Sequence, residues 1–251
     1  MFEHVPWIVV IVQKYFGVPL CSLLGTYGLK TTPELLFPGH IVMAFIIVFF
    51  LLVFLGMMKK RLSIYPNLAQ YFMESYVNFI SSMVIDTIGE KGKKYIPCIG
   101  TLGIFILLSN LLGLIPGLTS PTSNINITAG CALFVFMYYH WQGIKEQGML
   151  RYIKHFMGPF ELKGAGIAGA ALMFPIELIG HFARPLSLSM RLFGNIFGED
   201  LIIIIFFSLI PLLVPLPMMC LAIFTSLIQT LVFVMLSTIY IAGAVAVEEH
   251  H

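Results

Sequence analysis

The chain has 251 residues, of which 59% are hydrophobic and 10% are charged, and its mean hydropathy is +0.95. A soluble domain is typically about half apolar and a quarter charged, so this composition indicates an integral membrane protein. The net charge of +2 and the lack of a long basic run give no reason to expect a nucleic-acid partner. The four cysteines are scattered, without a CxxC pair or clustered histidines, and are predicted to be packing residues. We expect no metal site and no cofactor.

Long uninterrupted apolar runs predict membrane helices, because the alternating ten-residue pattern of a membrane barrel is missing. The predicted spans are about 39–58, 96–118, 124–142, 175–210 and 211–247. The fold class is therefore predicted to be an all-α polytopic membrane protein with about five membrane helices. Residues 39–251 are expected to form one helical membrane domain.

Residues 1–38 are expected to form an extracytoplasmic or interfacial segment. They do not resemble a secretory signal, because Glu3 precedes the apolar part and Lys14 interrupts it too early. A second interfacial element is predicted in residues 63–89, where Phe72, Tyr76 and Phe79 recur at helical intervals, followed by Met83. This pattern is typical of an amphipathic helix that lies at the membrane surface.

The distribution of lysine and arginine predicts the orientation of the chain. Six of these residues lie between the first two spans and four follow the third span, whereas Thr119–Ser123 and Pro211–Pro217 contain none. Positive residues that flank spans stay in the cytoplasm. The N-terminus is therefore predicted outside and the C-terminal sequence EEHH inside.

The last two apolar segments are longer than a membrane requires. At 1.5 Å per residue, some 35 helical residues reach about 50 Å, against a hydrocarbon thickness of about 30 Å. Both helices are therefore predicted to be steeply tilted and to pair as a hairpin through a turn near Pro211–Pro217. The alternative is that Pro185 breaks the first of them into a short helix and an ordinary span; a continuous helix is favoured, because neighbours can satisfy the freed carbonyl.

Six polar residues of the fourth span share one side of the predicted helix. At 100° per residue they fall within a stripe about 80° wide, with Asp200 outside it at about 140° from Glu177. The stripe contains Glu177, His181, Arg184, Arg191, Asn195 and Glu199. Ionisable groups at membrane depth are costly, so a row that faces one way is more often functional than structural.

Several of these residues also have a purely structural interpretation. Glu177 and Arg184 could form a satisfied pair near the cytoplasmic interface, His181 could be a hydrogen-bonded packing residue, and Asn195 could bond a backbone group. Arg191 is too deep in the segment to reach the headgroups easily. A guanidinium stays protonated at physiological pH, so Arg191 is interpreted as a fixed charge rather than a proton carrier.

A fixed positive charge can draw a proton from a nearby carboxylate or prevent a proton from crossing directly. Glu177 and His181 lie towards the cytoplasmic end, and Asn195, Glu199 and Asp200 lie towards the outside, so two polar paths are separated by Arg191. Gln229, in the last span, could orient Arg191 across the hairpin or bond a backbone carbonyl; spacing favours neither.

The segment SLSMRLFGNIFGEDLI, Ser187–Ile202, resembles the signature of subunit a of the F-type rotary ATP synthase. LIQTLVFVMLSTIYI, Leu227–Ile241, is similar to the last helix of that family, and LLSNLLGLIPG, Leu107–Gly117, adds support. The family commonly has one acid nine residues after its arginine, at Asp200 here, whereas the helical stripe favours Glu199. Ala222 stands where some relatives have a histidine.

The resemblance implies a proton-translocating stator subunit, not catalytic by itself, in the inner membrane of a bacterium. Arg191 would be the essential stator arginine, Gln229 its partner, and Glu177 part of the cytoplasmic half-channel, while Asn195 and the acids Glu199 and Asp200 would belong to the outer one. The implied partners are the c-subunit ring, the peripheral-stalk b subunits and the lipid bilayer. No direct nucleotide binding is expected, because the chain lacks a GxxxxGK loop.

Two other functions are compatible with buried charges. A self-contained ion channel or secondary transporter would more typically show internal repeats and helices broken in both halves. A haem or quinone subunit would need paired histidines within spans, and only His181 lies clearly inside one.

Overall fold

The computed structural model describes residues 6–26, 32–115, 117–149, 152, 166–209 and 215–245. Nearly all of them are helical, because a chain in lipid satisfies its backbone hydrogen bonds within each helix. The α-helices are α1 (Trp7–Val12), α2 (Val18–Thr26), α3 (Pro33–Leu36), α4 (Gly39–Lys60), α5 (Leu68–Ile88), α6 (Ile96–Leu112), α7 (Ile125–Gln147), α8 (Gly166–Leu209) and α9 (Pro215–Val245). A π-helical turn, Gln13–Gly17, joins α1 to α2, and 3₁₀ turns at Glu90–Tyr95 and Pro121–Ser123 precede α6 and α7.

The core of the bundle lies between α6, α7, α8 and α9, with one side of α5 packed against it. Its fully buried side chains include Ile106, Tyr139, Leu192 and Phe233. By contrast, α4 is largely exposed and contacts the bundle mainly through α6 and the turn before α7. The long apolar side chains on its surface suit contact with lipid.

The first and second predicted spans, and the last, correspond to helices that are long and apolar enough to cross a membrane. In the described part of the chain these are Gly39–Lys60, Glu90–Leu112 and Leu216–Val245, by length and composition. Helix α7 does not reach that hydropathy, because Tyr138, His140 and Gln142 dilute its apolar residues. The crossing predicted at 124–142 stays a prediction.

Two predicted helix ends differ from the structure. The helix predicted to end at about residue 118 ends at Leu112, because Gly113 approaches Ser120 in a turn and Gly117 adopts a φ of 86°. The helix predicted to begin at about residue 175 extends back to Gly166. It continues through Pro185, so the alternative of a break there is excluded. The last helix is described from Pro215 to Val245; its predicted ends, near 211 and 247, lie outside the described residues.

Helix α5 confirms the helix predicted between the first two spans. Ile80 and Val84 are buried against the bundle, and Tyr76 donates a 2.8 Å hydrogen bond to the carbonyl of Gly100. Phe72 and Phe79, on the predicted apolar side, are exposed, so the helix packs on the bundle through a neighbouring side. The location of α5 at the membrane surface stays a prediction.

The N-terminal segment packs against the start of α4. Val9 is fully buried beside Met43, and Gln13 Nε2 donates a 2.9 Å hydrogen bond to the carbonyl of Phe37. The same cluster includes Leu112, so this segment lies at the end of the bundle where α6 finishes. Its side of the membrane and the domain boundary at residue 38 stay predictions.

Positive residues collect at the other end of the bundle, named here the basic end. Lys94, just before α6, forms an ion pair with Glu146 near the end of α7. Gln147 Nε2 donates a 3.0 Å hydrogen bond to the carbonyl of Ala244, which brings the end of α9 to the same place. The start of α6 and the ends of α7 and α9 therefore meet at the basic end.

Candidate functional site

The polar stripe of α8 runs along the edge of its packed face. On the 100° helical wheel with Glu177 at zero, the buried residues of α8 fall at about 20° to 120°. His181 lies inside this range, whereas Arg191, at about −40°, and Asn195, at about 0°, lie beyond it and are exposed. Tertiary packing therefore divides the stripe into a buried part near the basic end and an open part further along the helix.

The buried part of the stripe belongs to a group of seven polar and aromatic residues, named here the histidine cluster. Its members are Tyr139 and His140 of α7, Tyr152 of the segment between α7 and α8, three residues of α8 (Glu177, His181 and Arg184), and Tyr240 of α9. Glu177 Oε1 lies 3.4 Å from His181 Nε2, and the Tyr139 hydroxyl lies 3.0 Å from His181 Nδ1. Both ring nitrogens of His181 thus have partners, and its side chain is 5% exposed.

Arg184 connects this cluster to the last helix. Its guanidinium lies 3.6 Å from Glu177 Oε1 and 5.5 Å from the centre of the Tyr240 ring. The predicted pairing of Glu177 with Arg184 is therefore present. It is partly exposed rather than fully buried, so solvent screens its contribution to stability.

Arg191 lies on the open part of the stripe, two turns from Arg184 along α8. Its side chain is exposed and forms no ion pair or hydrogen bond with any described residue. The exposed residues beside it on the helical wheel are small or polar, including Ser187, Gly194 and Asn195. A permanent charge at membrane depth requires a partner outside this chain or water to offset its desolvation.

Asn195 and Gln229 join the two helices of the hairpin beyond Arg191. Asn195 Nδ2 donates a hydrogen bond to Gln229 Oε1, and Gln229 is 4% exposed. Gln229 Nε2 is buried without a hydrogen-bond partner among the described residues. Gln229 was predicted as the partner of Arg191; among the described contacts it bonds Asn195, and its partnership with Arg191 stays a prediction.

Glu199 and Asp200 occupy different sides of α8, as their spacing predicts. On the helical wheel Glu199 lies among the buried residues of α8, at about 40°, whereas Asp200 lies at about 140°, just beyond them. Both side chains are half-buried. Both acids therefore remain candidates for the outer polar path.

A second set of buried polar residues, which the sequence did not predict, lies near the end of α6. The Ser120 hydroxyl donates a 2.8 Å hydrogen bond to the Ser109 carbonyl, and the Thr122 hydroxyl donates a 2.7 Å bond to Asn110 Oδ1. The turn from α6 into α7 is thereby tied to α6. Small polar residues between apolar ones gave the only signal in the sequence.

The sequence gave no reason to select Tyr139, His140 and Tyr152 of the histidine cluster, because aromatic residues in membrane helices are common. Tyr240 belongs to the polar residues that can be recognised among the apolar ones of the last span. Among the described residues, no three His, Cys, Asp or Glu side chains are placed to hold a metal ion. The chemistry available is hydrogen bonding, proton exchange and fixed charge.

A sequence model described as ATP synthase A chain matches residues 40–242, which include most of the chain and nearly all of α8 and α9. The chain belongs to this family. It is 52% identical to ATP synthase subunit a of Geobacter sulfurreducens over 192 residues, 76% of this chain and 80% of that protein. It is 49% identical over 206 residues to ATP synthase subunit a of Geotalea daltonii, and 48% identical over 206 residues to ATP synthase subunit a 1 of Pelobacter propionicus; each match covers 82% of this chain and 86% of the relative.

The family is the proton-translocating subunit of the membrane sector of ATP synthase, so the chain is one component of a multi-subunit complex and is not catalytic alone. This confirms the resemblance and the all-α membrane fold. The bacterial relatives and the membrane helices support a multi-pass protein of the plasma membrane. The transporter and haem-subunit alternatives are set aside on the same ground.

Proposed function

We propose that this chain conducts protons through two half-channels that meet at Arg191 beside the ring of c subunits. The observation that carries the proposal is the position of Arg191, an exposed guanidinium without a described partner on the open side of a long membrane helix. A carboxylate on an adjacent rotating subunit would supply the missing counter-charge. Attraction to Arg191 would favour release of the proton from that carboxylate.

Each half-channel uses polar residues on one side of Arg191. Glu177 and His181, at the basic end, form the cytoplasmic half; Asn195 and the two acids Glu199 and Asp200 form the outer half. Because the guanidinium cannot give up its proton, a proton cannot pass directly from one half to the other. It must travel with a ring carboxylate, and the ring turns as a consequence.

The side of α8 that carries Arg191 supports the c ring as the partner. Ser187, Gly194 and Asn195 are exposed on this side, at about −80°, −100° and 0° on the helical wheel. Because these residues are small, an apolar helix of a neighbouring subunit could pass close to the guanidinium. The peripheral-stalk b subunits are proposed partners on the strength of the family alone.

Gln229 is proposed to act through Asn195. The Asn195–Gln229 hydrogen bond holds the two helices in register one turn beyond Arg191. The side-chain NH2 group of Gln229 remains as a donor for a further partner. The orientation proposed for this arrangement has the N-terminus outside and the C-terminus in the cytoplasm, so that the basic end faces the cytoplasm.

The outer half-channel can be tested by neutralising its two acids in turn. We expect Glu199→Gln and Asp200→Asn each to lower ATP-driven proton pumping in membrane vesicles only a few fold, because the adjacent acid remains. The double variant is expected to lower it at least about tenfold, since no titratable group is left at this level. Glu90→Gln, at an exposed pair with Lys93, is the control. Full pumping by the assembled double variant would contradict the assignment of this half-channel.

The proposed partner can be tested separately by isolating the complex through a tag on this chain. We expect small two-helix subunits to be recovered with it in detergent. Recovery of this chain alone, from membranes in which the ATP synthase is intact, would contradict the proposed contact with the ring.

A further inference from the structure

The histidine cluster contains two imidazoles that face each other across the interface of α7 and α8. The ring centres of His140 and His181 are 5.2 Å apart. Each ring has a tyrosine hydroxyl at its Nδ1: the Tyr152 oxygen lies 2.6 Å from His140, and the Tyr139 oxygen lies 3.0 Å from His181. Both rings are therefore held in place by neighbouring side chains, and the two hydroxyls come from a different helix or segment in each case.

The charges around the pair come from one acid and one base. Glu177 is 3.4 Å from His181, and Arg184 is 3.6 Å from the same Glu177 oxygen. The other titratable groups that face the rings are the phenols of Tyr139, Tyr152 and Tyr240, from α7, the segment after it and α9. With Glu177 ionised and Arg184 charged, the cluster is neutral when both imidazoles are neutral.

This balance allows one additional proton but not two. One proton on either ring gives the cluster a net charge of +1, whereas protons on both rings would place two positive charges about 5 Å apart beside Arg184. Like charges at this distance, away from bulk water, strongly disfavour the doubly protonated state. Two groups coupled in this way titrate as a pair and not as separate sites.

We propose that His140 and His181 share a single proton and that this pair is the proton-holding site of the cytoplasmic half-channel. An N–H bond breaks on one imidazole as one forms on the other, and no oxidant or reductant is involved. Tyr152 and Tyr139 are positioning residues that fix the two rings. The inference rests on the function proposed above, because it assigns the pair to that half-channel.

The test is the dependence of ATP-driven pumping on cytoplasmic pH in vesicles that carry the assembled complex. In His140→Gln only one ring remains to hold the shared proton, and two equivalent sites that share a proton keep it to higher pH than one site does. We expect the midpoint of the pH profile to move downward by about 0.3 pH unit. The matched control is His40→Gln, at the start of α4 and outside the histidine cluster, which should leave the midpoint unchanged.

Two further variants distinguish a coupled pair from separate sites. In a cycle of His140→Gln, His181→Gln and the double variant, the effects on the pumping rate should be clearly non-additive. The double variant should pump about as fast as the slower of the two single variants. Tyr152→Phe, which removes the hydroxyl at His140 Nδ1 but keeps the ring, should shift the midpoint in the same direction by less; Tyr138→Phe is its control. If His140→Gln does not assemble, Tyr152→Phe carries the same test.

An unchanged midpoint in assembled His140→Gln, or strictly additive effects in the cycle, would overturn the shared-proton proposal. Neither outcome would affect the assignment of Arg191, which is tested by its own variant. Pumping that survives removal of Arg191 would instead overturn the proposed function, so the two failures are distinguishable.

Discussion

Replacement of Arg191 by Gln is expected to abolish ATP-driven proton pumping while the complex still assembles. Glutamine keeps a polar side chain of similar length but removes the permanent charge, so a ring carboxylate would retain its proton as it passes. We expect pumping to fall by at least about 100-fold, because a fixed charge at this depth has no substitute nearby. The measurement is quenching of a pH-sensitive dye in inverted vesicles.

Two companion variants separate charge from geometry at this position. Arg191→Lys keeps a positive charge but loses the planar fork and can release its proton, so we expect it to remain at least about tenfold impaired. Arg61→Gln, at the end of α4 and also exposed, should pump normally. Assembly is checked by the amount of ring subunit that co-purifies, and normal pumping by assembled Arg191→Gln would make the polar stripe a structural feature.

Gly143→Ala is expected to lower the free energy of unfolding by about 1–3 kcal/mol, the usual cost of overpacking. A Cβ at Gly143 would collide with the Tyr152 ring and lie 2.9 Å from the carbonyl oxygen of Ala244. The tyrosine can rotate, but the oxygen is backbone of the buried last helix. Helices α7 and α9 would therefore have to separate, and Tyr152 would lose its position beside His140.

Gly130→Ala is the matched control on the same helix. Nothing lies within 4 Å of a Cβ at Gly130, so this substitution should leave stability unchanged or raise it slightly through better helix propensity. The measurement is the thermal unfolding midpoint of the detergent-purified complex, followed by the fraction of this chain that remains bound. Equal midpoints for the two variants would contradict the close approach of α7 and α9.

The histidine cluster extends the description of the cytoplasmic path beyond α8. Glu177 and His181 are held by residues of α7 and α9, so half of the groups that set their charge are contributed by helices far away in the sequence. Proton transfer at this end should therefore respond to substitutions on α7 as strongly as to substitutions on α8. The outer path shows a different arrangement, since the described hydrogen bond of Asn195 is to Gln229 of α9.

The sequence determined the membrane class, the first two spans, the continuous long helix through Pro185 and the polar stripe on α8. These features follow from local rules: apolar run length sets a span, and the 3.6-residue period sets a face. The family signature around Arg191 is also contiguous in sequence. Residue-by-residue reasoning was therefore sufficient for them.

Only the tertiary structure decided which part of the stripe is buried. Whether Arg191 lies open and His181 lies enclosed depends on the angle at which α7 and α9 pack on α8, and no local pattern encodes that angle. The same holds for His140 and Tyr152, which lie 41 and 29 positions before His181 in the chain. Only after folding does His140 lie beside both His181 and Tyr152. A polar residue acquires its charge state from its neighbours, and those neighbours are set by the packing of helices.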